Sequence, residues 1–513
     1  MYRIDMIPLL KTKSFFRKYS SIPTSIIVKT GQEISRLGFG SYRINRKVDE
    51  YQLALKKAIN SGINVIDTSA HFESGESEEV IGDVLEKMMN EGSVSRKDLV
   101  VISKAGYFET IDTSTIPDTF AKISNKSAHS ISPEFLQDQI NGSLSRLKLN
   151  KLDIFMLNSP ERMLKAKNKN YSMSHLYQDI ERAFDYLDEE VSIGVNLRLR
   201  LVCLLHILDC RRIGGYGICS NSMTTPTTSD YISLPTILEK IPESRKHNFV
   251  AIQVPFNIFE RDVIQIGSSQ NWSLAEYSKQ NDIFLFTNRP LNAITGGTIR
   301  PLVNKSVDLD ASIEEVSDNL SNKFQKLGEL EVELNELYFK ISSKFIWAQI
   351  LSENLNKLSQ NYFATKYYLE KQVKPDIVND LESLSDNFKS NRFDKNAKNN
   401  LQDWITKYHS EFQSLSTLLI SYAYLNLLYI NNDLDSIIST VSPSLQFDDE
   451  SPQKPYSPLS VKCIRINLAN SLIGCTLVGM RELNYVEDSI LALRLSDNDI
   501  TVEYLEEIYN CLQ

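Results

Sequence analysis

The feature that most constrains the fold is a regular alternation of short apolar runs and amphipathic stretches between about residue 35 and residue 300. The runs are strand-like in length and composition, and the stretches between them carry apolar residues at helical spacing. Such alternation indicates βαβ units and a parallel sheet. The strand candidates are INVIDTS, LVVISKAG, LDIFMLNSP, GYGICSNS, FVAIQVPFN and DIFLFTNRP.

The number of units favours a closed barrel over an open sheet. More units occur than a small open sheet would hold, and no G-x-G-x-x-G motif follows the first strand. We therefore predict an α/β fold of the (β/α)8 barrel type, whose functional residues lie at the carboxyl ends of the strands. The residues at or near those ends are Asp67, Lys104, Asn158, Ser220 and Gln253.

A different texture occupies residues 305–454. Glycine nearly vanishes after Gly328, and leucines recur every seven residues, which predicts a long amphipathic helix with coiled-coil character in an all-helical insertion. We interpret this stripe as intramolecular core, with a surface for a protein partner as the alternative. The stripe consists of Leu320, Leu327, Leu334 and Ile341.

After the insertion the strand–helix pattern returns. It predicts a helix, the strand CTLVG and a last helix that opens near Glu482. The predicted barrel is therefore discontinuous, with its first part in residues 21–304 and its last strand and helices in residues 455–513. Residues 195–212 do not fit this plan, and are either an inserted helix or a stretch that the gene does not encode.

Composition and spacing exclude several classes of protein. The net charge of −9, without a basic stripe that carries interleaved aromatics, argues against a nucleic-acid binder. No run reaches the roughly 18 clean apolar residues of a membrane-spanning helix. The histidines show no H-E-x-x-H or similar ligand spacing, so no metal site is predicted.

The amino terminus differs from the rest of the chain. Residues 1–20 carry one acid, Asp5, among basic, apolar and hydroxyl side chains, which is typical of a mitochondrial transit peptide. We therefore expect import into the mitochondrial matrix, and a disordered basic tail is the alternative. The basic residues are Arg3, Lys11, Lys13, Arg17 and Lys18.

These segments, taken in order, resemble the aldo-keto reductase superfamily over roughly residues 35–300 and 460–495. LGFGSYRI resembles the opening hairpin of the family, and NVIDTSAHFESGESEEVIG resembles its second-strand motif. VVISKAG resembles the strand that ends in the family's lysine. The later matches are SPEFLQDQINGSLSRLKLNKLDIFMLNSPE, GYGICSNS, AIQVPFNIFERD, RPLNAITGGTI and TLVGMRELNYVEDSI.

The resemblance implies reduction of a small carbonyl substrate by hydride from NADPH, with a tyrosine as proton donor. In the family a lysine, itself paired with an aspartate, lowers the pKa of that tyrosine, and a histidine orients the substrate. Asp67 and Lys104 match the aspartate and the lysine, but Phe72 stands in place of the tyrosine and Asn158 in place of the histidine. Because phenylalanine has no proton to give, the resemblance implies a catalytic set that lacks its acid.

The same resemblance implies a site for NADP. Gln253 matches a residue that binds the nicotinamide carboxamide, and Arg481 falls in the loop that contacts the adenosine phosphate, where a cation favours NADP over NAD. Ser220 matches the family's Ser-Asn pair either as its second member, after Cys219, or as its first. Asn288 takes the place of a stacking aromatic. The remaining implied cofactor residues are Gly40, Ser41, Pro290 and Leu291.

Several interpretations stay open at this point. Asp67 and Lys104 form either a functional pair or an ion pair kept for packing. His71 or Tyr107 could replace the missing acid, although His71 is expected to point away from the barrel mouth if Phe72 points in, because neighbours on an extended segment alternate. The protein is then a binding or scaffold module with lost or altered chemistry, an active reductase with a relocated acid, or a structural subunit that binds no nucleotide.

Overall fold

The structure, a computed structural model, divides the chain into two compact units. One unit comprises residues 1–293 and 444–513, and the other comprises residues 294–443. The division falls about ten residues before each of the two predicted boundaries. The described residues are 22–512 except 111, 118, 193–210, 268–270, 305–311, 338–344, 391–394, 446–456, 496–499 and 501.

The first unit is built on a closed barrel of eight parallel strands, as the sequence predicts. The strand CTLVG closes the barrel between the seventh strand and the first, although the helical segment separates it in sequence from the seventh strand. In barrel order the strands are β3 (Leu37–Gly40), β4 (Val65–Asp67), β5 (Val100–Ala105), β9 (Ile154–Asn158), β10 (Tyr216–Cys219), β11 (Phe249–Pro255), β12 (Phe284–Asn288) and β15 (Cys475–Gly479).

The described residues also form three smaller sheets, the last of which lies mostly in the second unit. An antiparallel hairpin precedes the first barrel strand, and its Ile27 and Ile34 are buried in the same apolar cluster as the inward-facing Val65 and Val100. The opening hairpin is therefore residues 24–35, while LGFG forms a barrel strand, which corrects the assignment made from sequence. The smaller sheets are β1 (Thr24–Ile27) with β2 (Gln32–Ser35), β6 (Tyr107–Glu109) with β7 (Ala121–Ser124) and β8 (Ser127–His129), and β13 (Asn292–Thr295) with β14 (Thr298–Pro301).

Helices of the first unit bury their apolar stripes against the outside of the barrel. Close packing is evident where the second helix meets the third, because a Cβ atom on Gly82 would lie 2.3 Å from the carbonyl oxygen of Arg146. These helices are α1 (Glu50–Asn60), α2 (Glu76–Asn90), α3 (Pro133–Leu147), α4 (Met173–Ser192), α5 (Leu234–Glu239), α6 (Leu274–Gln280), α13 (Leu459–Ala469), α14 (Leu483–Arg494) and α15 (Val502–Cys511).

In the second unit, most of the described residues between 313 and 441 are helical. Leu320, Leu327 and Leu334 are buried in its apolar core, whereas the fourth predicted stripe residue, Ile341, lies outside the described residues. The indole of Trp404 donates a hydrogen bond of 2.9 Å to the carbonyl of Leu330, which links the two longest helices. The helices are α7 (Ile313–Leu337), α8 (Trp347–Glu353), α9 (Leu355–Gln360), α10 (Tyr362–Tyr368), α11 (Lys374–Ser390) and α12 (Lys395–Val441), with a π-turn at Leu369–Val373 before α11.

Two predictions fall largely on parts of the chain that are not described. Residues 1–20, the predicted transit peptide, lie outside the described residues, as do residues 195–210 of the segment that did not fit. Within the described ranges, every helix is too short or too polar to cross a lipid bilayer.

Candidate active site

Four of the strand-end residues singled out in the sequence are buried at the same end of the barrel. Asp67 ends β4, Asn158 ends β9, Lys104 lies near the end of β5, and Gln253 lies on β11. Parallel strands in a barrel bring their carboxyl ends to one face, which explains why residues distant in sequence converge there.

The strand-borne polar groups form a connected network. The ammonium group of Lys104 lies 2.5 Å from Oδ1 of Asp67, and both side chains are almost completely buried. The amide of Gln253 donates to the same carboxylate oxygen at 2.8 Å. In turn, Oε1 of Gln253 accepts hydrogen bonds from Asn288 at 3.1 Å and from the thiol of Cys219 at 3.2 Å. The paired carboxylate is thus held by two donors, as burial of a charge requires.

A tight turn, not a strand, carries Phe72. A 3-10 turn spans Phe72–Gly75, and Glu73 and Ser74 within it have φ angles of 48° and 56°. The Phe72 ring centroid lies 5.5 Å from Nζ of Lys104, and Tyr42 packs edge-on against the ring at 5.3 Å. An apolar ring therefore lies beside the ammonium group, at a distance where a cation–π attraction operates.

The alternation that was expected to point His71 away from the barrel mouth if Phe72 points in does not hold. The two rings are in contact, with centroids 5.0 Å apart, and the other face of His71 packs on Tyr107 at 4.6 Å. The backbone here is a hydrogen-bonded turn, with the Phe72 amide donating to the carbonyl of Ser69 at 3.0 Å, so the alternation expected of an extended segment does not apply.

The hydrogen bonds of Ser69 bear on the tautomer of His71. The Ser69 hydroxyl donates to the backbone carbonyl of Lys104 at 2.8 Å. The oxygen of that hydroxyl also lies 2.9 Å from Nδ1 of His71. Since a hydroxyl has one proton, Nδ1 must then be the donor in its contact, and Nε2 carries a lone pair. Burial, followed by the nearby positive charge of Lys104, lowers the pKa of His71 to about 4, so the ring is neutral at physiological pH.

A second imidazole, which no sequence motif indicated, lies beside this cluster. His129 on β8 packs edge-on against Tyr107 at 5.2 Å, and its Nε2 donates to the backbone carbonyl of Asn158 at 2.8 Å. Burial lowers the pKa of His129 to about 4, and its Nδ1 has no hydrogen-bond partner among the described residues. Only the antiparallel sheet β6–β8–β7 brings this histidine to the barrel mouth, and no motif marked that sheet.

Asn158 does not titrate, but it connects the turn to the strands. Its side-chain amide donates to the hydroxyl of Ser69 at 3.4 Å, the oxygen that also contacts His71. Glu161, three residues further on, is a second group that sequence reasoning missed. Its carboxylate accepts from the backbone amide of Asn221 at 3.1 Å, and burial raises its pKa to about 7.

Buried polar atoms without partners provide a test of whether a nicotinamide dinucleotide fits this end of the barrel. The hydroxyl of Ser41, just after β3, and Oδ1 of Asn288, at the end of β12, are both buried and lack hydrogen-bond partners among the described residues. Such groups normally have partners. A ligand that carries amide, hydroxyl and phosphate groups supplies both the donors and the acceptors that these atoms need, so the residues fit such a ligand.

The other cofactor residues implied by the resemblance fall into two groups. Gly40 ends β3 and lies opposite Gly479 of β15, while Pro290 is buried and Leu291 is partly buried in the turn after β12. In the second group, the amide of Ser220 donates to the backbone carbonyl of Gln253 at 2.9 Å. Also in the second group, Nε of Arg481, in the loop after β15, lies 3.3 Å from Oε1 of Glu482, so this arginine already has an acidic neighbour.

Comparison with known proteins gives one family match. Residues 36–195 match the model of the aldo/keto reductase family. Over 133 residues the chain is 29% identical to the NADH-specific methylglyoxal reductase of Escherichia coli (strain K12), a match that covers 24% of this chain and 37% of the relative. It is also 25% identical over 125 residues to the uncharacterized oxidoreductase YqkF of Bacillus subtilis (strain 168), with coverage of 24% and 35%.

Solved structures of the same class are similar to the chain. The glycerol dehydrogenase AKR11B4 from Gluconobacter oxydans aligns with a TM-score of 0.47 and 14% identity, over 95% of this chain and 94% of that chain. The matched segment spans little more than a third of the length of either curated relative, at 37% and 35%.

Proposed function

This chain belongs to the aldo-keto reductase superfamily, and from that premise we propose that it binds a nicotinamide dinucleotide but has lost or altered the family's carbonyl reduction. On this proposal it acts as a binding or scaffold module in the mitochondrial matrix, and the helical segment 305–454 provides a surface for a protein partner. The bound cofactor is NADP(H) or its unphosphorylated form, and hydride transfer is the chemistry that it would supply.

One observation carries the proposal. The ring of Phe72 lies beside the Lys104 ammonium, where the resemblance implies a phenol, and a hydrocarbon ring cannot give a proton to a developing alkoxide. General acid catalysis typically contributes about 10²–10⁴-fold to a rate. The Asp67–Lys104 pair remains and can stabilise negative charge near the ammonium, but it has no acid to tune.

The residues for cofactor binding support the first half of the proposal. Ser41 and Asn288 present unpartnered polar atoms at the carboxyl end of the barrel, and Gln253 lies between Asn288 and the ion pair. Their donors and acceptors suit the carboxamide, ribose and phosphate groups of a dinucleotide. The matrix location rests on the composition of residues 1–20 alone.

Two measurements test the proposal. Full-length protein is titrated with NADH and with NADPH while the fluorescence of each nucleotide is followed, and its turnover of a panel of aldehydes and ketones is then measured. We expect saturable binding with little or no turnover. Absence of binding by both nucleotides would favour a purely structural subunit, and efficient turnover would contradict the loss of chemistry.

Restoration of the missing groups sharpens the test. Phe72→Tyr combined with Asn158→His is expected to raise carbonyl reduction by one to several powers of ten, in the range of general acid catalysis. The matched control is Phe363→Tyr, which adds the same hydroxyl to a partly buried ring in the helical unit. A double variant that binds nucleotide but gains no activity would place the loss elsewhere than in these two residues.

A second candidate function, a reductase with a relocated acid, is favoured by the position of His71. Its ring contacts both Phe72 and Tyr107, and burial, followed by the charge of Lys104, lowers its pKa. With Nδ1 donating to Ser69, the ring can give up a proton from Nε2 only as imidazolium. This route therefore predicts a rate that rises as the pH falls toward about 4.

The second candidate has its own test. Under it, turnover by the wild type is lost in His71→Gln and retained in His175→Gln, because His175 is exposed in the first turn of α4 and its ring contacts Ser172. Tyr107→Phe separates the phenol from the imidazole. If all three variants keep the activity of the wild type, neither group is the donor.

A further inference from the structure

Two glutamates lie at the loop after the eighth barrel strand, where a phosphate group is expected to bind. In (β/α)8 barrels a phosphate site frequently forms from the loops after the seventh and eighth strands and the amino terminus of a following helix. In this chain the loop after the eighth strand, Met480–Glu482, leads directly into α14. The hydroxyl of Ser41 lies next to Gly40, which pairs with the last residue of that strand, and is buried without a partner among the described residues.

The side chain of Glu50 already accepts a hydrogen bond from a backbone amide that could otherwise donate to a phosphate. Its Oε1 accepts a hydrogen bond of 3.0 Å from the backbone amide of Leu483, the first residue of α14. Backbone amides at a helix amino terminus are the usual donors to phosphate, and a carboxylate there gains from the same partial positive charge. A phosphate group would have to displace this carboxylate or lie beside it.

Glu482 likewise weakens the attraction of Arg481 for a phosphate, because it is an acidic neighbour of that guanidinium. It is the residue before α14, and its Oε1 lies 3.3 Å from Nε of Arg481, with both side chains partly exposed. The guanidinium therefore meets a phosphate while already sharing its charge with a neighbour. Glu50 and Glu482 together place two negative charges at the loop that the resemblance assigns to the additional phosphate of NADP(H).

From these contacts, and resting on the proposed nucleotide binding, we propose that Glu50 and Glu482 make the site bind NADH at least as tightly as NADPH. The 2′-phosphate adds close to two negative charges and would repel both carboxylates. The 2′-hydroxyl of NADH can instead donate a hydrogen bond to a carboxylate, which is how acidic residues select NAD in dinucleotide sites. The two glutamates would thus cancel the advantage that Arg481 alone would give to NADPH.

The test compares dissociation constants of NADH and NADPH for the full chain, measured by titration calorimetry and nucleotide fluorescence. In the wild type, the dissociation constant of NADPH should equal or exceed that of NADH. Glu50→Gln and Glu482→Gln should each lower it by about fivefold for NADPH and change it less than twofold for NADH, a size typical of one charge at a helix terminus. Circular dichroism of each variant checks that it is folded.

A matched control removes the same charge from the same helix. Glu487→Gln changes an exposed residue of α14 that pairs with Lys57 and contacts neither Leu483 nor Arg481 in the network described above, so it should leave the ratio of the two constants within twofold. A wild type that binds NADPH at least tenfold more tightly than NADH would overturn the inference alone, as would folded glutamate variants with an unchanged ratio. Failure of both nucleotides to bind would overturn the proposed function and the inference with it.

Discussion

The two halves of the candidate site are built differently. Asp67, Lys104 and Gln253 lie on barrel strands and form one hydrogen-bonded network, whereas His71 and Phe72 lie on a turn. The strand-borne half keeps the aspartate, the lysine and the glutamine that the family resemblance implies, although Asn158 on β9 stands in place of the histidine, and the turn-borne half lacks the phenol. Barrel closure holds a strand residue in place through the register of both neighbouring strands, but a turn residue can change without disturbing them. This difference predicts larger energetic effects from the strands and smaller ones from the turn.

The largest effect is expected from Lys104→Met. Among the described residues, this change leaves the buried Asp67 carboxylate with the amide of Gln253 as its one hydrogen-bond partner, and removal of one member of a buried ion pair costs roughly 3–5 kcal/mol. Since a chain with two units need not unfold in one step, the measurement is the free energy of opening of β5 by hydrogen exchange.

Two further variants control for the loss of a lysine. Lys148→Met removes an exposed lysine that pairs with Asp83 and Glu86, and such solvent-exposed pairs contribute little to stability. Adding Asp67→Asn to Lys104→Met should recover much of the stability, because the uncompensated charge is then gone. A loss in Lys104→Met no larger than in Lys148→Met would show that the strand network is not the rigid half.

The next largest effect is on the pH dependence of stability and concerns His129, which contacts Asn158 at the end of β9 and the ring of Tyr107. Its pKa is lowered to about 4 in the folded protein, against about 6.5 in an unfolded chain, so the unfolded state binds more protons between these values. The contribution of this group to stability is therefore complete above about pH 6.5 and is lost as the pH falls toward 4, by about 3 kcal/mol in total. His129→Gln should reduce this loss by that amount.

Measurement of the difference between variant and wild type isolates His129 from its neighbours. The raised pKa of Glu161 acts with the opposite sign over the same range, since its protonated form is favoured by folding, so the wild-type curve alone is not diagnostic. His175→Gln, a change at an exposed position, is the control for loss of a histidine elsewhere in the chain. A curve for His129→Gln that is parallel to the wild type would mean that this imidazole is accessible to protons in the folded state.

The same contrast explains how much the sequence could predict. Asp67, Lys104 and Asn158 were placed correctly at strand ends because the order of strands and the barrel rule fix such positions. His71 was misplaced because a 3-10 turn, which single-residue alternation cannot foresee, replaces the extended segment assumed for it. His129 was not considered because it reaches the site through a long-range sheet pairing, from β6 and β8, that no local pattern encodes.

In the helical unit the periodic pattern predicted which residues are buried but not which residues they pack against. The heptad spacing predicted that Leu320, Leu327 and Leu334 share one face, and all three are buried. The residues that they pack against, such as Trp404 and Tyr408, come from a helix some seventy residues away. Whether this unit binds another protein stays a prediction.

A smaller effect is expected from Ser69→Ala, which breaks the link between turn and strand. The Ser69 hydroxyl donates to the carbonyl of Lys104 and is the acceptor for both His71 and Asn158. Loss of one buried hydrogen-bonding group costs about 1–2 kcal/mol. Ser383→Ala, at an exposed site in the helical unit, is the control and should change stability by less than about 0.5 kcal/mol. Equal effects from the two would mean that turn and strand are energetically independent.

The smallest stability effect, and the sharpest statement about the turn, comes from Phe72→Tyr alone. The ring is partly exposed, so an added hydroxyl can reach water or the Lys104 ammonium, and we expect a change in the opening free energy of α2 below about 0.5 kcal/mol. A near-neutral result would mean that the turn still accepts the phenol and that its absence reflects chemistry and not packing. A cost above about 1.5 kcal/mol would mean that the turn has closed around the phenyl ring, since forcing atoms into a filled space costs that much. In that case no single substitution would restore the acid, and the turn-borne half would be as rigidly packed as the strands.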